Sequence, residues 1–257
     1  MKNKKLLNYS DYLSLEKVLS SQELMSAKRG SPAHDEMLFI IIHQVYELWF
    51  KQILHELDSV ILIFNQKSVM ESDVSLMVLR LQRIIEIQKI LIDQIRVLET
   101  MTAMDFLEFR DDLFPSSGFQ SAQFRLLENK LGLLKDHRIN YGRHDYTSVI
   151  KEEEKIRVKK TENEKSLFDH LESWLERTPF LSFEGFDFWE QYSGAVRSML
   201  KKEKLVIQDN PNYTKKEIEY HLNEHNNAVL SFEAMIDEQK HNQLITKNKK
   251  RLSHKAT

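Results

Sequence analysis

Apolar positions recur three and four residues apart along most of the chain, the spacing of one face of an α-helix. The longest such stretch, HDEMLFIIIHQVYELWFKQILHELD over residues 34–58, continues in the same pattern to about residue 64. A second runs over residues 73–98 through Val74, Met77, Val78, Leu81, Ile84, Ile85, Gln88, Leu91, Ile92 and Ile95. Shorter helical patterns cover residues 15–25, 103–114, 119–131, 167–175, 188–206 and 215–244. Breaks fall at residues 27–31 with Gly30 and Pro32, at Pro115 to Gly118, and at Gly132. Thr102 followed by Asp105 predicts a capping box, with Asp in place of the usual Glu. Residues 137–165 are densely charged with little periodicity and read as a solvated helix or surface excursion. Residues 178–188, with Pro179 and Gly185, read as a packed connection. No repeat is visible and no boundary is sharp, so the pattern predicts an all-α, single-domain helical bundle over residues 1–257.

Composition supports this. Six Gly and four Pro among 257 residues fall far below the combined share of about 12% in average usage. Charged residues make up 30% and hydrophobic ones 41%, with a net charge of -2. That balance gives no electrostatic reason to expect nucleic acid as a partner. The lack of Cys excludes disulfides, thiolate metal sites and a Cys nucleophile. The N-terminal MKNKKLLNYSDYLSL has no sustained apolar run, as a secretory signal would. The longest apolar run, residues 37–42, is far short of the ~20 residues of a membrane span. The expectation is a cytoplasmic protein with no membrane partner.

His43 stands out in the apolar middle of the first helix, on one stripe with Phe39 and Phe50 and beside Tyr46. A buried imidazole needs a partner, because leaving it unpaired costs on the order of 1–3 kcal/mol. That partner is either another core residue or a ligand. Arg110, one turn after Phe106 and three residues before Leu113, is an Arg among apolar neighbours. It reads either as an ion pair with Asp111 or Glu108, or as a fork for a ligand carboxylate. His221 and His225 match H-x-x-E-H, a zinc pattern short enough to arise by chance, on a polar helix. Lys247, Lys249, Lys250 and Arg251 suit a helix C-terminus.

Longer blocks say more than single residues. HDEMLFIIIHQVYELWFKQILHELDSV, LETMTAMDFLEFRDDLFPSSGFQSAQFRLLENKLG and LERTPF closely resemble the tryptophan 2,3-dioxygenase family. The resemblance begins at NYSDYLSL and reaches RLSHKA, nearly the whole chain. It implies a helical, homotetrameric haem enzyme that adds both atoms of O2 across the indole C2–C3 bond of L-tryptophan, giving N-formyl-L-kynurenine. His43 matches the distal histidine that contacts the indole N–H and is the catalytic candidate. Phe39 matches a phenylalanine packed on the indole, and Arg110 an arginine on the substrate carboxylate. Leu113 and Ser117 match pocket-lining positions, Ser117 close to the haem. Phe106 matches a position that is Tyr in some members and here has no hydroxyl. Tyr9 and Tyr12 match tyrosines that reach a neighbouring subunit's pocket, which makes residues 1–30 an intersubunit arm.

In the family, RLSHKA leads into a region carrying the proximal haem histidine and a loop that closes over substrate. The sequence stops at Thr257, and none of His221, His225, His241 or His254 matches the proximal ligand. The expectation is therefore an incomplete C-terminal region, no metal ligand from this chain, poor haem binding and impaired catalysis. The alternative is a non-catalytic helical relative that binds an indole or serves in assembly.

Overall fold

The apolar stretch that starts at Glu36 folds as one helix of 29 residues, preceded by three short ones. In this computed structural model, which describes residues 7–134, 137–138, 145–177, 182–183 and 186–257, these are α1 (Tyr9–Leu13), α2 (Leu15–Leu19), α3 (Met25–Lys28) and α4 (Glu36–Phe64). The single helix expected over residues 15–25 is split. Ser20 Oγ donates to Glu16 O at 2.6 Å, Ser21 Oγ to Val18 O at 2.8 Å, and Gln22 Nε2 to Val18 O at 2.9 Å. The last two take Val18 O, the carbonyl that Gln22 N would have used in another helical turn.

The second long pattern is also divided, into α5 (Glu71–Asp93) and α6 (Ile95–Leu98). The Tyr46 hydroxyl donates to Leu91 O at 2.6 Å, satisfying one of the last carbonyls of α5. The capping box forms as expected: Thr102 Oγ1 accepts from Asp105 N and the Asp105 carboxylate from Thr102 N, opening α7 (Ala103–Arg110). α7 stops short of residue 114 and tightens into a 3-10 turn over Asp111–Leu113. Pro115 explains this, since it forces Phe114 into an extended backbone, ψ 132°. A 3-10 turn, Gly118–Gln120, precedes α8 (Ala122–Leu131), which ends at Gly132 with φ 89°. That left-handed conformation favours glycine.

The charge-rich segment, read from sequence as a solvated helix or surface excursion, does contain a helix with most of its positions exposed, but one side of it is docked. Within it, α9 (Glu152–Thr161) buries Val158 completely. Ile150 and Val158 join Ile53, Leu54, Leu57, Ile84, Ile87, Leu126 and Leu127 in one core cluster. Tyr146 of the same segment packs against that cluster as well, and most of the charges of α9 stay exposed. Part of that segment, 139–144, lies outside the described residues.

By its contacts the chain divides into Met1–Phe168 and Asp169–Thr257. α10 (Leu167–Leu175) lies at that division. The second unit contains α11 (Phe188–Gln208), α12 (Lys215–Ile236) and α13 (Glu238–Thr246). The helix expected over 215–244 breaks at Asp237, whose carboxylate caps α13 through Gln239 N at 2.9 Å and Lys240 N at 3.2 Å. The C-terminal segment is held by buried His241, whose Nε2 lies 2.8 Å from Leu252 O. Ser253 N donates to Glu172 at 2.6 Å. The expected connection over 178–188 falls largely outside the described residues, although the backbone of Ser182–Phe183 pairs antiparallel with Phe186–Asp187. Among the described residues the architecture is all-α apart from that pair.

Candidate functional site

α4 brings its aromatic stripe against α7 and the turn that follows. Phe39 lies 5.7 Å from Phe106 and 5.6 Å from Phe109, centroid to centroid, and 4.2 Å from the His43 ring. Phe109 is wholly buried and meets Phe106 edge to face. Together they form an aromatic floor. Above it opens a cavity of about 600 Å³ whose lining includes Phe39, His43, Phe106, Arg110, Leu113 and Ser117. Six of the eight residues given site roles by the resemblance thus share one cavity, although they come from three segments.

The His43 ring is held in a defined tautomer. Nδ1 lies 2.7 Å from Phe39 O, and a carbonyl oxygen can only accept, so Nδ1 carries the proton. In the neutral form of the ring Nε2 is then a bare acceptor. Arg110 stacks its guanidinium over Phe106, 5.9 Å from the ring centroid. The ion pair with Asp111 or Glu108 considered from sequence does not form. Arg110 has no hydrogen bond or ion pair among the described residues. Instead, Arg29 donates to Glu108 O at 3.0 Å and lies 3.3 Å from the Asp112 carboxylate. Tyr9 and Tyr12 stand apart on α1, 73% and 71% exposed, and do not line this cavity.

A second cavity of about 660 Å³ shares His43, Glu47, Gly118 and Ser121 with the first. Its further walls include Phe50, Phe119, Phe124, Leu133, Arg125 and His137. Arg125 is buried, pairs with Glu128 at 2.9 Å and leaves its Nε without a partner. Sequence reasoning passed over Glu47 and Gln123, whose Nε2 donates to Glu47 Oε2 at 2.7 Å. Glu47 lies one turn after His43, so helical spacing alone could have nominated it.

His221 stacks on Tyr213 with centroids 4.7 Å apart, and His225 Nδ1 lies 3.3 Å from Glu203. Each imidazole of the H-x-x-E-H pair therefore has its own protein neighbour. Among the described residues no group of three or more His, Cys, Asp or Glu is placed to hold a metal ion.

A family model for tryptophan 2,3-dioxygenase matches residues 2–257. The chain belongs to the tryptophan 2,3-dioxygenase family. It is 47% identical to tryptophan 2,3-dioxygenase of Dictyostelium discoideum over 96% of this chain and 62% of that one. Against the Bdellovibrio bacteriovorus enzyme the identity is 45%, covering 97% and 70%. Against that of Xenopus tropicalis it is 48%, covering 97% and 61%. The chain thus spans 61% to 70% of the length of these relatives.

Family membership implies haem as the group to test against the larger cavity. Haem is flat, largely apolar, and carries two carboxylate arms. The rings of Phe50, Phe119 and Phe124 and the side chain of Leu133 suit its faces, and the orphaned N–H of buried Arg125 suits a carboxylate. In these respects the residues present fit the group.

Proposed function

We propose that this chain acts in the oxidative opening of the indole ring of L-tryptophan, with O2 adding across C2–C3 to give N-formyl-L-kynurenine. The observation that carries the reading is the cavity shared by an unpaired guanidinium, Arg110, and an acceptor imidazole, His43. Tryptophan offers one carboxylate, one indole N–H and an apolar bicycle. Arg110 takes the carboxylate with two parallel N–H donors. His43 accepts the indole N–H at Nε2, and Phe39 packs on the ring with Phe106 beside it. Phe106 cannot bond the carboxylate, which leaves that task to Arg110. Leu113 and Ser117 close the pocket sides.

In this reading haem occupies the larger cavity, with Phe50, Phe124 and Leu133 against its faces and Arg125 at a carboxylate arm. When bound, haem supplies the oxygen chemistry. The protein's own part is orientation and exclusion of water around a substrate whose two ends are fixed. We place the activity in the cytoplasm by the resemblance to the family; no described helix is long and apolar enough to cross a membrane. The exposed Tyr9 and Tyr12 support an arm that reaches a neighbouring copy in a homotetramer.

The test is addition of hemin to the purified protein, with the absorption spectrum and N-formylkynurenine followed as L-tryptophan and air are supplied. A sharp Soret band and product formation that Arg110→Ala abolishes support the reading and overturn the expectation of impaired haem uptake. Haem uptake with no product from tryptophan overturns the catalytic reading in favour of an indole-binding relative.

A further inference from the structure

The four-residue helix α3 ties the two sides of the small cavity together. At its start, the Glu36 carboxylate accepts from Met25 N at 2.7 Å, from Ser26 N at 3.0 Å and from the Ser26 hydroxyl. Ser26 Oγ in turn accepts from Ala33 N at 2.9 Å. Glu36 and Ser26 are both wholly buried. A carboxylate that takes three hydrogen bonds in the interior is a firm anchor. It fixes α3 to the first residue of α4, one turn before Phe39.

Arg29, immediately after α3, reaches the other side. Its Nη2 donates to Glu108 O at 3.0 Å and lies 3.3 Å from the Asp112 carboxylate. Glu108 O is one of the last carbonyls of α7, which the helix itself cannot satisfy. Glu108 and Asp112 stand two residues either side of Arg110, where α7 gives way to the 3-10 turn. A single guanidinium therefore holds the backbone corner that carries Arg110. Arg29 itself lines neither cavity.

We propose that Arg29 is a positioning residue: it sets the direction of the Arg110 fork and so the grip on the substrate carboxylate. The proposal rests on the reading of Arg110 given above. A fork that must meet a carboxylate with two N–H bonds tolerates little displacement, and a supporting contact on each side of it restricts the corner's motion.

The test compares binding of L-tryptophan with that of tryptamine, which lacks the carboxylate, by calorimetry on the hemin-supplied protein of residues 1–257. Arg29→Ala should weaken L-tryptophan about tenfold and leave tryptamine unchanged, with Arg29→Lys between the two. Asp112→Asn, which retains the bond to Glu108 O, provides a milder variant should Arg29→Ala fold poorly; it should shift the same ligand preference in the same direction. Equal weakening of both ligands, or no change in either, overturns the positioning role. Arg110→Ala separates the two claims. If it fails to reduce the preference for L-tryptophan, the reading of Arg110 falls and the role of Arg29 falls with it. If it succeeds while the Arg29 and Asp112 variants do nothing, only the positioning role is lost.

Discussion

Asn129 on α8 donates its amide to Val158 O at 3.1 Å and to the Thr161 hydroxyl at 2.8 Å, both near the end of α9. All three residues are buried. The amide oxygen is used too, accepting from Arg138. One side chain thus closes a helix terminus and satisfies part of a buried guanidinium. Asn129→Ala is expected to lower stability by about 1–3 kcal/mol, because it strands the Arg138 donor and removes one of the two bonds to the Val158 carbonyl, the Thr161 hydroxyl supplying the other at 2.7 Å. Urea unfolding monitored by circular dichroism measures this. A midpoint equal to that of the parent would show that water or a rearranged neighbour replaces the amide at no cost.

The same helix offers a test of its register. Val158 is wholly buried whereas Ile156 is 67% exposed. Val158→Ala should cost about 1–3 kcal/mol through lost burial and the space left behind. Ile156→Ala should stay within about 0.5 kcal/mol. A reversal of that order in thermal or urea unfolding would mean that α9 docks by a different face.

How far the sequence foretold this arrangement varied with the strength of the local signal. The helix bearing Phe39 and His43 was legible because its apolar pattern is continuous, and the Thr102–Asp105 cap because both halves of it are side chains in fixed positions. A helix among the charges of residues 151–160 was one of two readings, but its docking was illegible because Val158, with Ile150 just before the helix, gives too few apolar positions to register as a period. Glu36 was missed for another reason: an acid in the first turn of a helix suits the dipole there and invites no further question. Only its distance to Ser26 exposes it as a buried anchor. The cavity was legible residue by residue through resemblance. The pairing of Arg29 with the Arg110 corner spans 79 positions and leaves no periodic trace.

If His43 Nε2 accepts the indole N–H, the bond should disappear when that hydrogen is replaced. His43→Ala is expected to weaken L-tryptophan by about 0.5–1.5 kcal/mol, the range of a neutral hydrogen bond. It should leave 1-methyl-L-tryptophan, which has no N–H to donate, nearly unchanged. Binding measured for both ligands against both proteins decides the matter. An equal loss for the two would assign His43 to packing instead of hydrogen bonding.

Asp145 provides an acid-dependent contribution. Its carboxylate accepts from the Thr147 hydroxyl at 2.6 Å, from Thr147 N at 2.8 Å, and from Lys159 at 3.0 Å. The Thr147 hydroxyl bond above all holds its pKa far below the usual carboxylate range. Because the folded value is depressed, the stabilisation is present above the unfolded value of about 3.9 and is lost as pH falls below it. Asp145→Asn should therefore lower the melting temperature at neutral pH and matter progressively less as the pH drops below about 3.9. A deficit that is constant across that range would locate the effect in lost shape, not lost charge.

Because His43, Glu47, Gly118 and Ser121 belong to the walls of both cavities, the two compartments are not independent vessels. Any occupant of one that shifts these four residues alters the other's capacity to bind. Thermodynamic reciprocity then requires the two occupants to change each other's affinity by the same factor. His43 is accordingly the hinge of a conversation between two guests as well as a contact for one of them.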